Sequence, residues 1–192
     1  MKINGNGKAT ALSFEQFQAL LEIAPSPKHR ALWAVQYYCA ARIGESLSLT
    51  WQSVTGGHVT FKAGTTKTKV TRQPVIHPEL QTELDAYRQW WTNAYGAPKG
   101  VECLFHTSDS LTQPMSRQAA DKALKASCKQ IGVQGVSTHT FRRSAAQRVV
   151  AAGVPVFQAM AVTGHKSISA FQEYIDQNAS DLVACHQVLG AC

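Results

Sequence analysis

Residues 139–142 read His-Thr-Phe-Arg, and residues 164–174 read Gly-His-Lys-Ser-Ile-Ser-Ala-Phe-Gln-Glu-Tyr. In the first stretch a histidine and an arginine stand three positions apart, so on a helix both face the same side about one turn from each other. In the second stretch Gly164 is suited to end a helix and to turn the chain before His165. Tyr174 follows that histidine by nine residues. These spacings predict a helical region whose polar side chains could meet a phosphodiester together.

Helical periodicity continues on both sides of these stretches. Pro155 is suited to the start of one helix, and Ser167 is suited to cap the next helix, within which Tyr174 is expected to lie. The helices predicted for this part of the chain cover approximately residues 116–131, 138–152, 155–163, 167–177 and 179–189.

The amino-terminal part is also predicted to be helical. Residues 1–11 are polar and rich in Gly, Asn and Lys, so a flexible segment is expected there. Ser13 and the glutamine three residues after it resemble a capping box, which predicts the start of the first helix. A second, apolar helix is predicted from His29 to Ala41, where Arg42 stops it, and a short helical stretch runs from Gly44 to Trp51.

The pattern between these helical parts is typical of strands. Residues 58–62 alternate in polarity, and residues 67–76 are rich in Thr and Val, which predicts a small antiparallel sheet with a basic hairpin. Pro78 predicts the start of a helix that ends near Gly96, and Leu104 with Phe105 is predicted as a short edge strand. The expected fold class is therefore mainly α with a small antiparallel β-sheet (α+β).

The charge of the chain is basic and clustered. Lys and Arg outnumber Asp and Glu by 19 to 12, for a formal net charge of +7. Seven cations lie between Arg117 and Arg148, where the one acid is Asp121. Such clustering suits a polyanionic partner, because Lys and Arg release the counterions condensed on phosphates. Charge alone is a weak indication, since basic proteins without nucleic-acid partners are common.

Two further features bear on the compartment. The five cysteines are odd in number and widely separated, so they are interpreted as reduced, mostly buried thiols. The sequence shows neither a leader pattern at its start nor an apolar run of the roughly 20 residues that a membrane span needs. A cytoplasmic protein without a membrane partner is expected.

Six residues are candidates for catalysis once the elements are placed. Each alone is better explained by a structural role, such as a solvated arginine, a structural histidine or a packed tyrosine. Their joint pattern is what favours a phosphate-handling site. The candidates are Arg42, Lys67, His139, Arg142, His165 and Tyr174.

The boxes Ala-Arg-Ile-Gly-Glu at 41–45, Lys-Thr-Lys at 67–69, His-Thr-Phe-Arg at 139–142 and Gly-His at 164–165, followed by Tyr174, resemble those of the tyrosine recombinase, or phage integrase, family. Their order and spacing agree with the family pattern over roughly residues 10–180. The chain departs from it where Thr163 and Ala41 replace leucines that often stand there, both interpreted as packing positions. The resemblance implies the DNA breaking-rejoining catalytic-domain fold.

The resemblance also implies a domain plan and a reaction. Together with the composition it predicts a flexible segment at 1–11, a catalytic domain at 12–178 and a carboxyl-terminal helix or tail at 179–192. As a departure from most family members, no amino-terminal core-binding domain is expected in this chain. Tyr174 would form a 3′-phosphotyrosyl bond with DNA, with no metal, cofactor or ATP. Arg42 and Arg142 would hold the phosphate, and His165 would hydrogen-bond it.

The remaining roles follow from the same resemblance. His139 would assist deprotonation of the tyrosine, Lys67 of the hairpin would protonate the leaving oxygen, with Lys69 as the alternative, and Glu45 would orient the site. The implied partners are double-stranded DNA, further copies of the chain in a tetramer on paired sites, and possible accessory DNA-bending or directionality proteins. Further DNA contacts are expected from Lys62, Lys69, Arg72, Arg117, Arg143 and Lys166.

Two alternatives remain open. One is a DNA-binding regulator or remnant that keeps the fold and basic surface without catalysis. The other is an enzyme like the type IB topoisomerases, which shares the chemistry but relaxes supercoils without choosing a sequence. The His-x-x-Arg form and the spacing of the boxes favour a recombinase. The target site and the type of rearrangement cannot be derived, since DNA sequence is recognised through groove contacts that differ with the target.

Overall fold

The computed structural model describes residues 7–66 and 69–175. Within these ranges the chain forms mainly α-helices and one two-stranded antiparallel sheet, which confirms the predicted class. The helices are α1 (Phe14–Glu22), α2 (Pro27–Tyr38), α3 (Ile43–Leu47), α4 (Pro78–Tyr95), α5 (Arg117–Gln130), α6 (Thr140–Ala151), α7 (Val156–Thr163) and α8 (Ile168–Gln172). The strands are β1 (Val54–Thr55) and β2 (His58–Val59), and single 3-10 turns cover Trp51–Ser53 and Ala63–Thr65.

Helix α1 begins where its cap predicts, whereas α2 begins two residues before the predicted His29. The Ser13 hydroxyl accepts a hydrogen bond from the Gln16 amide, and the Gln16 side chain accepts one from the Ser13 amide, which confirms the capping box. Helix α2 begins at Pro27 and ends at Tyr38, three residues before the predicted end. It ends there because Ala40 takes a φ of 47°, a left-handed conformation that no α-helix continues through.

Helix α2 is the centre of the main core, where it packs against α1, α4 and α6. The Phe17 ring of α1 stacks on the Tyr37 ring of α2 at a centroid distance of 3.9 Å. Trp33 of α2 stacks on Phe141 of α6 at 6.3 Å. Burial of each such ring stabilises the fold by about 1.5–3 kcal/mol, so α6 is held firmly against α2. The catalytic candidates of α6 are therefore placed by the core.

The sheet is smaller than predicted. Strands β1 and β2 pair in antiparallel register, with Val54 opposite Val59. Of the predicted second strand, the described residues 69–76 form no continuous ladder and meet β2 and its extension through the isolated pairs His58–Val75 and Phe61–Arg72. A continuous ladder is prevented because Pro74 has no amide hydrogen to donate.

The predicted edge strand at Leu104 and Phe105 is likewise not a regular strand. Its neighbours form isolated pairs, Cys103 with Thr50 and His106 with Pro114. Both residues are fully buried, so burial rather than pairing explains their apolar character.

A second, smaller core lies between α6, α7 and α8. It consists of Ala146, Ala159, Met160 and Phe171, and Tyr174 packs partly buried against it. Gly164 ends α7 in the predicted left-handed conformation, with φ 68° and ψ 38°. Helix α8 is capped by Ser167 as predicted.

The predicted helix over 167–177 is too long. Helix α8 ends at Gln172, so Tyr174 lies in the turn after it rather than inside a helix. The helix predicted over 179–189 lies outside the described residues.

The cysteine prediction is confirmed for the part of the chain that the structure describes. Cys39, Cys103 and Cys128 are free and buried there, while Cys185 and Cys192 lie outside it. Among the described helices, none combines the length and the apolar character that crossing a membrane requires.

Candidate active site

The start of helix α6 carries two of the candidates. His139 is the residue before the first turn, with φ −95° and ψ −8°, and Arg142 lies in that turn. His139 thus lies at the cap position just before the helix rather than within it. Its backbone carbonyl still accepts from the Arg143 amide at 3.0 Å, so the two side chains leave α6 at the same end.

Arg142 has a fully buried side chain with identified partners on two of its nitrogens. Its Nη1 donates to the Ala40 carbonyl at 2.8 Å, and its Nη2 lies 3.3 Å from His165 Nε2. Its Nε has no hydrogen-bond partner among the described residues. Burial, and then the charge of Arg42, lower the pKa of the guanidinium, which nevertheless stays cationic at neutral pH. A buried cation in this setting is an incomplete site that an anion would complete.

Arg42 and Arg72 meet at one carboxylate. Arg42, which begins α3, donates from Nη1 to Glu45 Oε1 at 2.8 Å, and Arg72 donates from Nη2 to Glu45 Oε2 at 3.1 Å. Burial alone would raise the pKa of the Glu45 carboxyl, but the hydrogen bonds from Arg42 and the nearby Arg72 together lower it. Glu45 is thus a charged, almost fully buried support that holds two arginines.

Tyr174 lies beside three of the other candidates. Its hydroxyl is 3.0 Å from His139 Nδ1, and its ring centroid is 4.7 Å from that of His165. The Arg142 guanidinium carbon lies 5.7 Å from the same ring centroid. Tyr174 therefore contacts His139 at the start of α6, although the two residues are 35 positions apart in the sequence.

His165 is held by the residue that ends α7. Its Nδ1 lies 2.8 Å from the Thr163 hydroxyl, which in turn lies 2.9 Å from the Ala159 carbonyl. Burial first, and then the charges of Arg142 and Arg42, lower the pKa of His165 from 6.5 to about 4, so the imidazole is neutral at pH 7.

The predicted lysine of the hairpin, Lys67, has no described position. The alternative, Lys69, is exposed with a φ of 52°. The base of the hairpin is placed, because Arg72 pairs with Phe61 through its backbone, packs its guanidinium 4.2 Å from the Phe61 ring centroid, and donates to the Cys39 carbonyl at 2.8 Å. The choice between the two lysines stays a prediction.

The residues expected to contact DNA fall into two groups. Lys62, Lys69, Arg117 and Lys166 are exposed. Arg72 and Arg143 are instead engaged inside the protein. Arg143 is 5% exposed and its Nη1 donates to the Glu173 carbonyl at 2.8 Å, directly before Tyr174. Contact with DNA stays a prediction for all six residues. The internal contacts of Arg72 and Arg143 support the site.

Two features of the site were not predicted from the sequence. Thr163, which was interpreted as a packing residue, contributes its hydroxyl to His165. The Cys39 and Ala40 carbonyls hold Arg72 and Arg142. No sequence signal predicts the second feature, because alanine rarely adopts a positive φ and nothing in its side chain indicates it.

The arrangement is that of a phenol surrounded by cations and imidazoles. A cavity of about 270 Å³ opens beside it, with His139, Arg143, Glu173 and Tyr174 among its lining residues. Such a site can stabilise a developing phenolate and bind an anion next to it, since buried arginines act in a region of low dielectric constant.

Comparisons with known proteins identify the family and the fold. The sequence profile of the phage integrase family matches residues 10–181. A curated protein of Sinorhizobium fredii (strain NBRC 101917 / NGR234), provisionally named an integrase/recombinase, is 25% identical over 165 residues, which cover 85% of this chain and 51% of that protein. The chain thus spans about half the length of that relative.

Solved structures share the fold. XerA recombinase superposes with a TM-score of 0.76 at 20% identity, covering 94% of this chain and 65% of that chain. The integrase of transposon Tn1549, bound to transposon right end DNA, gives 0.76 at 15% identity, covering 99% and 69%. A lambda integrase tetramer on a Holliday junction gives 0.66 at 16% identity, covering 89% and 49%. At these identities the likeness establishes the fold.

Proposed function

The chain belongs to the phage integrase family, and we propose that it is the catalytic part of a site-specific DNA recombinase that uses Tyr174 as its nucleophile. The observation that carries the proposal is the contact between the Tyr174 hydroxyl and His139 Nδ1 at 3.0 Å, next to buried Arg142. A packed structural tyrosine would have no need of an imidazole at its hydroxyl and a buried guanidinium over its ring.

The proposed cleavage step is an in-line attack on phosphorus. The Tyr174 oxygen forms a bond to phosphorus and the bond to the 5′ oxygen breaks, which leaves a 3′-phosphotyrosyl link. His139 takes the phenolic proton, and Lys67 of the hairpin gives a proton to the departing 5′ oxygen. The covalent link keeps the energy of the broken bond, so rejoining needs neither ATP nor another cofactor.

The arginines carry the electrostatic part of the reaction. Arg42 and Arg142 each offer a planar fork that can hold two non-bridging phosphate oxygens, a geometry that lysine does not reproduce. Glu45 supports the proposal, because a carboxylate bound to Nη1 of Arg42 orients that guanidinium and leaves its Nη2 and Nε for a phosphate. By this proposal His165 acts at the same phosphate, and no metal ion takes part.

The proposed partner is double-stranded DNA, bound by several copies of the chain. Lambda integrase is described as a dimer on a core site and as a tetramer on a Holliday junction, which supports both parts of the proposal. Residues 12–178 would be the catalytic domain and 179–192 a carboxyl-terminal tail. Accessory DNA-bending or directionality proteins could join the complex, which would act in the cytoplasm.

The test is the capture of the covalent intermediate. The protein is incubated with a pool of duplexes of randomised sequence that carry a nick next to the scissile position, so that the released fragment diffuses away. An SDS-resistant protein–DNA adduct is expected from the wild type, and sequencing of the trapped DNA gives the preferred site.

Two tyrosine variants serve as the comparison. Tyr174→Phe is expected to bind DNA without forming the adduct, while Tyr95→Phe, which alters an exposed tyrosine of α4, is expected to form it normally. DNA binding by the wild type without any adduct would favour the non-catalytic regulator. Relaxation of any supercoiled plasmid without site preference would favour the topoisomerase-like alternative.

A further inference from the structure

The hydroxyl of Thr163 lies between helix carbonyls and His165. The side chain is fully buried at the end of α7, and its oxygen lies 2.9 Å from the Ala159 carbonyl and 3.3 Å from the Met160 carbonyl. A carbonyl only accepts, so in these contacts the hydroxyl donates its single proton. With its proton on the carbonyl side, the Thr163 oxygen accepts from His165 Nδ1, which lies 2.8 Å away.

The opposite ring nitrogen leads to the same conclusion. His165 Nε2 lies 3.3 Å from Arg142 Nη2, and a guanidinium nitrogen only donates. Nε2 must therefore offer a lone pair there. A neutral imidazole has one proton, and both contacts place it on Nδ1.

We propose that Thr163 is a positioning residue, which fixes the proton of His165 on Nδ1 and so makes Nε2 the acceptor that orients the Arg142 guanidinium. The proposal goes beyond the family resemblance, in which this position is a leucine and packs. Its meaning for catalysis rests on the proposed function, because it concerns how the phosphate-binding arginine is held before DNA arrives.

The surroundings keep the ring neutral, as this role requires. Burial, Arg142 and Arg42 lower the pKa of His165 to about 4. No described acid is bonded to the ring, and the acid nearest in the network, Glu45, is engaged by two arginines. The charged or titratable groups that face or adjoin His165 are Arg142 from α6, Arg42 before α3, Arg72 beside Gly164, Lys166 next in the chain and Tyr174 after α8.

A consequence concerns the phosphate. With its proton on Nδ1, a neutral His165 cannot donate from Nε2 to a phosphate oxygen. It can do so only after taking up a second proton, which a bound phosphate would favour and the free site does not. In the DNA-free protein, His165 therefore serves Arg142 first.

The test is nitrogen-15 NMR of the histidine side chains in the DNA-free protein at neutral pH. His165→Asn assigns the signal of interest by its loss. The wild type and Thr163→Ser, which keeps the hydroxyl, are expected to carry the His165 proton on Nδ1. Thr163→Val, which has the same shape without the hydroxyl, is expected to shift the proton partly or wholly to Nε2.

A matched control is available in α4. Thr82 also donates its hydroxyl to the carbonyl four residues back, Pro78, at 3.2 Å, but it has no histidine partner within residues 7–66 and 69–175. Thr82→Val is expected to leave the His165 signals unchanged. A wild-type proton on Nε2, or a Thr163→Val spectrum equal to that of the wild type, would overturn the proposal.

A wild-type proton on Nε2 would overturn the proposal even if Thr163→Val does not fold, and Thr163→Ser then still tests the need for the hydroxyl. Because no DNA is present, the result is also independent of recombination. A failed adduct assay together with the expected tautomer would reject the proposed function and leave the role of Thr163 intact.

Discussion

Arg142 combines full burial with a positive charge, and in the part of the chain that the structure describes its Nε atom has no hydrogen-bond partner. Isolated buried charges are strongly unfavourable, so proteins keep them where hydrogen bonds or a ligand offset the cost. The Ala40 carbonyl and His165 satisfy part of this guanidinium. A phosphate would supply the missing negative charge, which ties the residue to the proposed reaction.

Replacement of this arginine should affect catalysis far more than folding. Arg142→Lys keeps a cation but loses the planar fork, so the barrier to cleavage is expected to rise on the order of 3–4 kcal/mol, or roughly a hundred- to a thousandfold in rate. The measurement is the rate of adduct formation on a nicked duplex. Arg88→Lys, at an exposed arginine that packs 4.7 Å from the Trp51 ring centroid, is the control and should keep the wild-type rate.

The low pKa of His165 predicts an acid-sensitive contribution to stability. The folded ring resists protonation down to about pH 4, whereas the unfolded ring takes up a proton as the pH falls through about 6.5. The contribution is therefore complete above pH 6.5 and is lost progressively towards pH 4. Its size should be on the order of 1–2 kcal/mol, discounted because the ring is partly exposed.

Urea unfolding of wild type and His165→Asn between pH 7 and pH 4 measures this contribution as a difference. The two stability curves should converge as the pH falls. His58→Asn, at an exposed histidine of β2, should instead follow the wild type, and a constant difference between wild type and His165→Asn would contradict the assignment.

Sequence predicts residues best where spacing alone defines them. The pattern that linked His139, Arg142, His165 and Tyr174 names side chains that the structure brings within contact of one another. It cannot show what holds those side chains. The Thr163 hydroxyl contacts His165 because α7 ends at Thr163. The position of that helix end depends on tertiary packing.

At the scale of elements, capped helices were predicted better than strands. Ser13, Pro78, Gly164 and Ser167 each mark a helix end through local chemistry, and the structure has an end at each of them. The prediction of a regular second strand was wrong because Pro74 interrupts the ladder of backbone hydrogen bonds. Helix α8 ended early, and as a result Tyr174 lies in a turn stabilised by Arg143 at the Glu173 carbonyl.

Arg72 connects the basic hairpin to α3, and its loss should loosen that connection. Arg72→Ala removes the ion pair with Glu45 and the contact with the Phe61 ring, and the Cys39 carbonyl loses its donor. We expect a loss of about 1–3 kcal/mol in the free energy of unfolding. Hydrogen exchange should also rise at the Phe61 and Arg72 amides, which pair with each other.

Arg88→Ala is the control, because that exposed arginine makes an aromatic contact and is part of no ion pair found among the described residues. It should cost less than 1 kcal/mol in stability, as is usual for exposed sites. Equal losses in the two variants would mean that the Glu45 network does not hold the hairpin.

At the scale of the whole molecule, the excess of seven positive charges is distributed over exposed and internal positions. Lys62, Lys69 and Arg117 are exposed, while Arg42, Arg72 and Arg142 belong to the network around Glu45 and Tyr174. The first group should contribute to DNA affinity and its salt dependence, and the second to the reaction.

The salt dependence of DNA binding separates these groups. Lys62→Ala is expected to lower the slope of log K against log salt by about 1, as for one lost phosphate contact. Lys99→Ala, at an exposed lysine after α4, should leave the slope unchanged. Fluorescence anisotropy with a labelled duplex from 50 to 200 mM salt is a suitable measurement. An unchanged slope for Lys62→Ala would remove that lysine from the interface.

The most direct test of the central claim is to identify the atoms joined in the covalent complex. The trapped adduct is digested with protease and nuclease, and the remaining nucleotide is located by tandem mass spectrometry. A 3′-phosphate is expected on the peptide that contains Tyr174. A nucleotide on any other residue, or attachment through a 5′-phosphate, would contradict it.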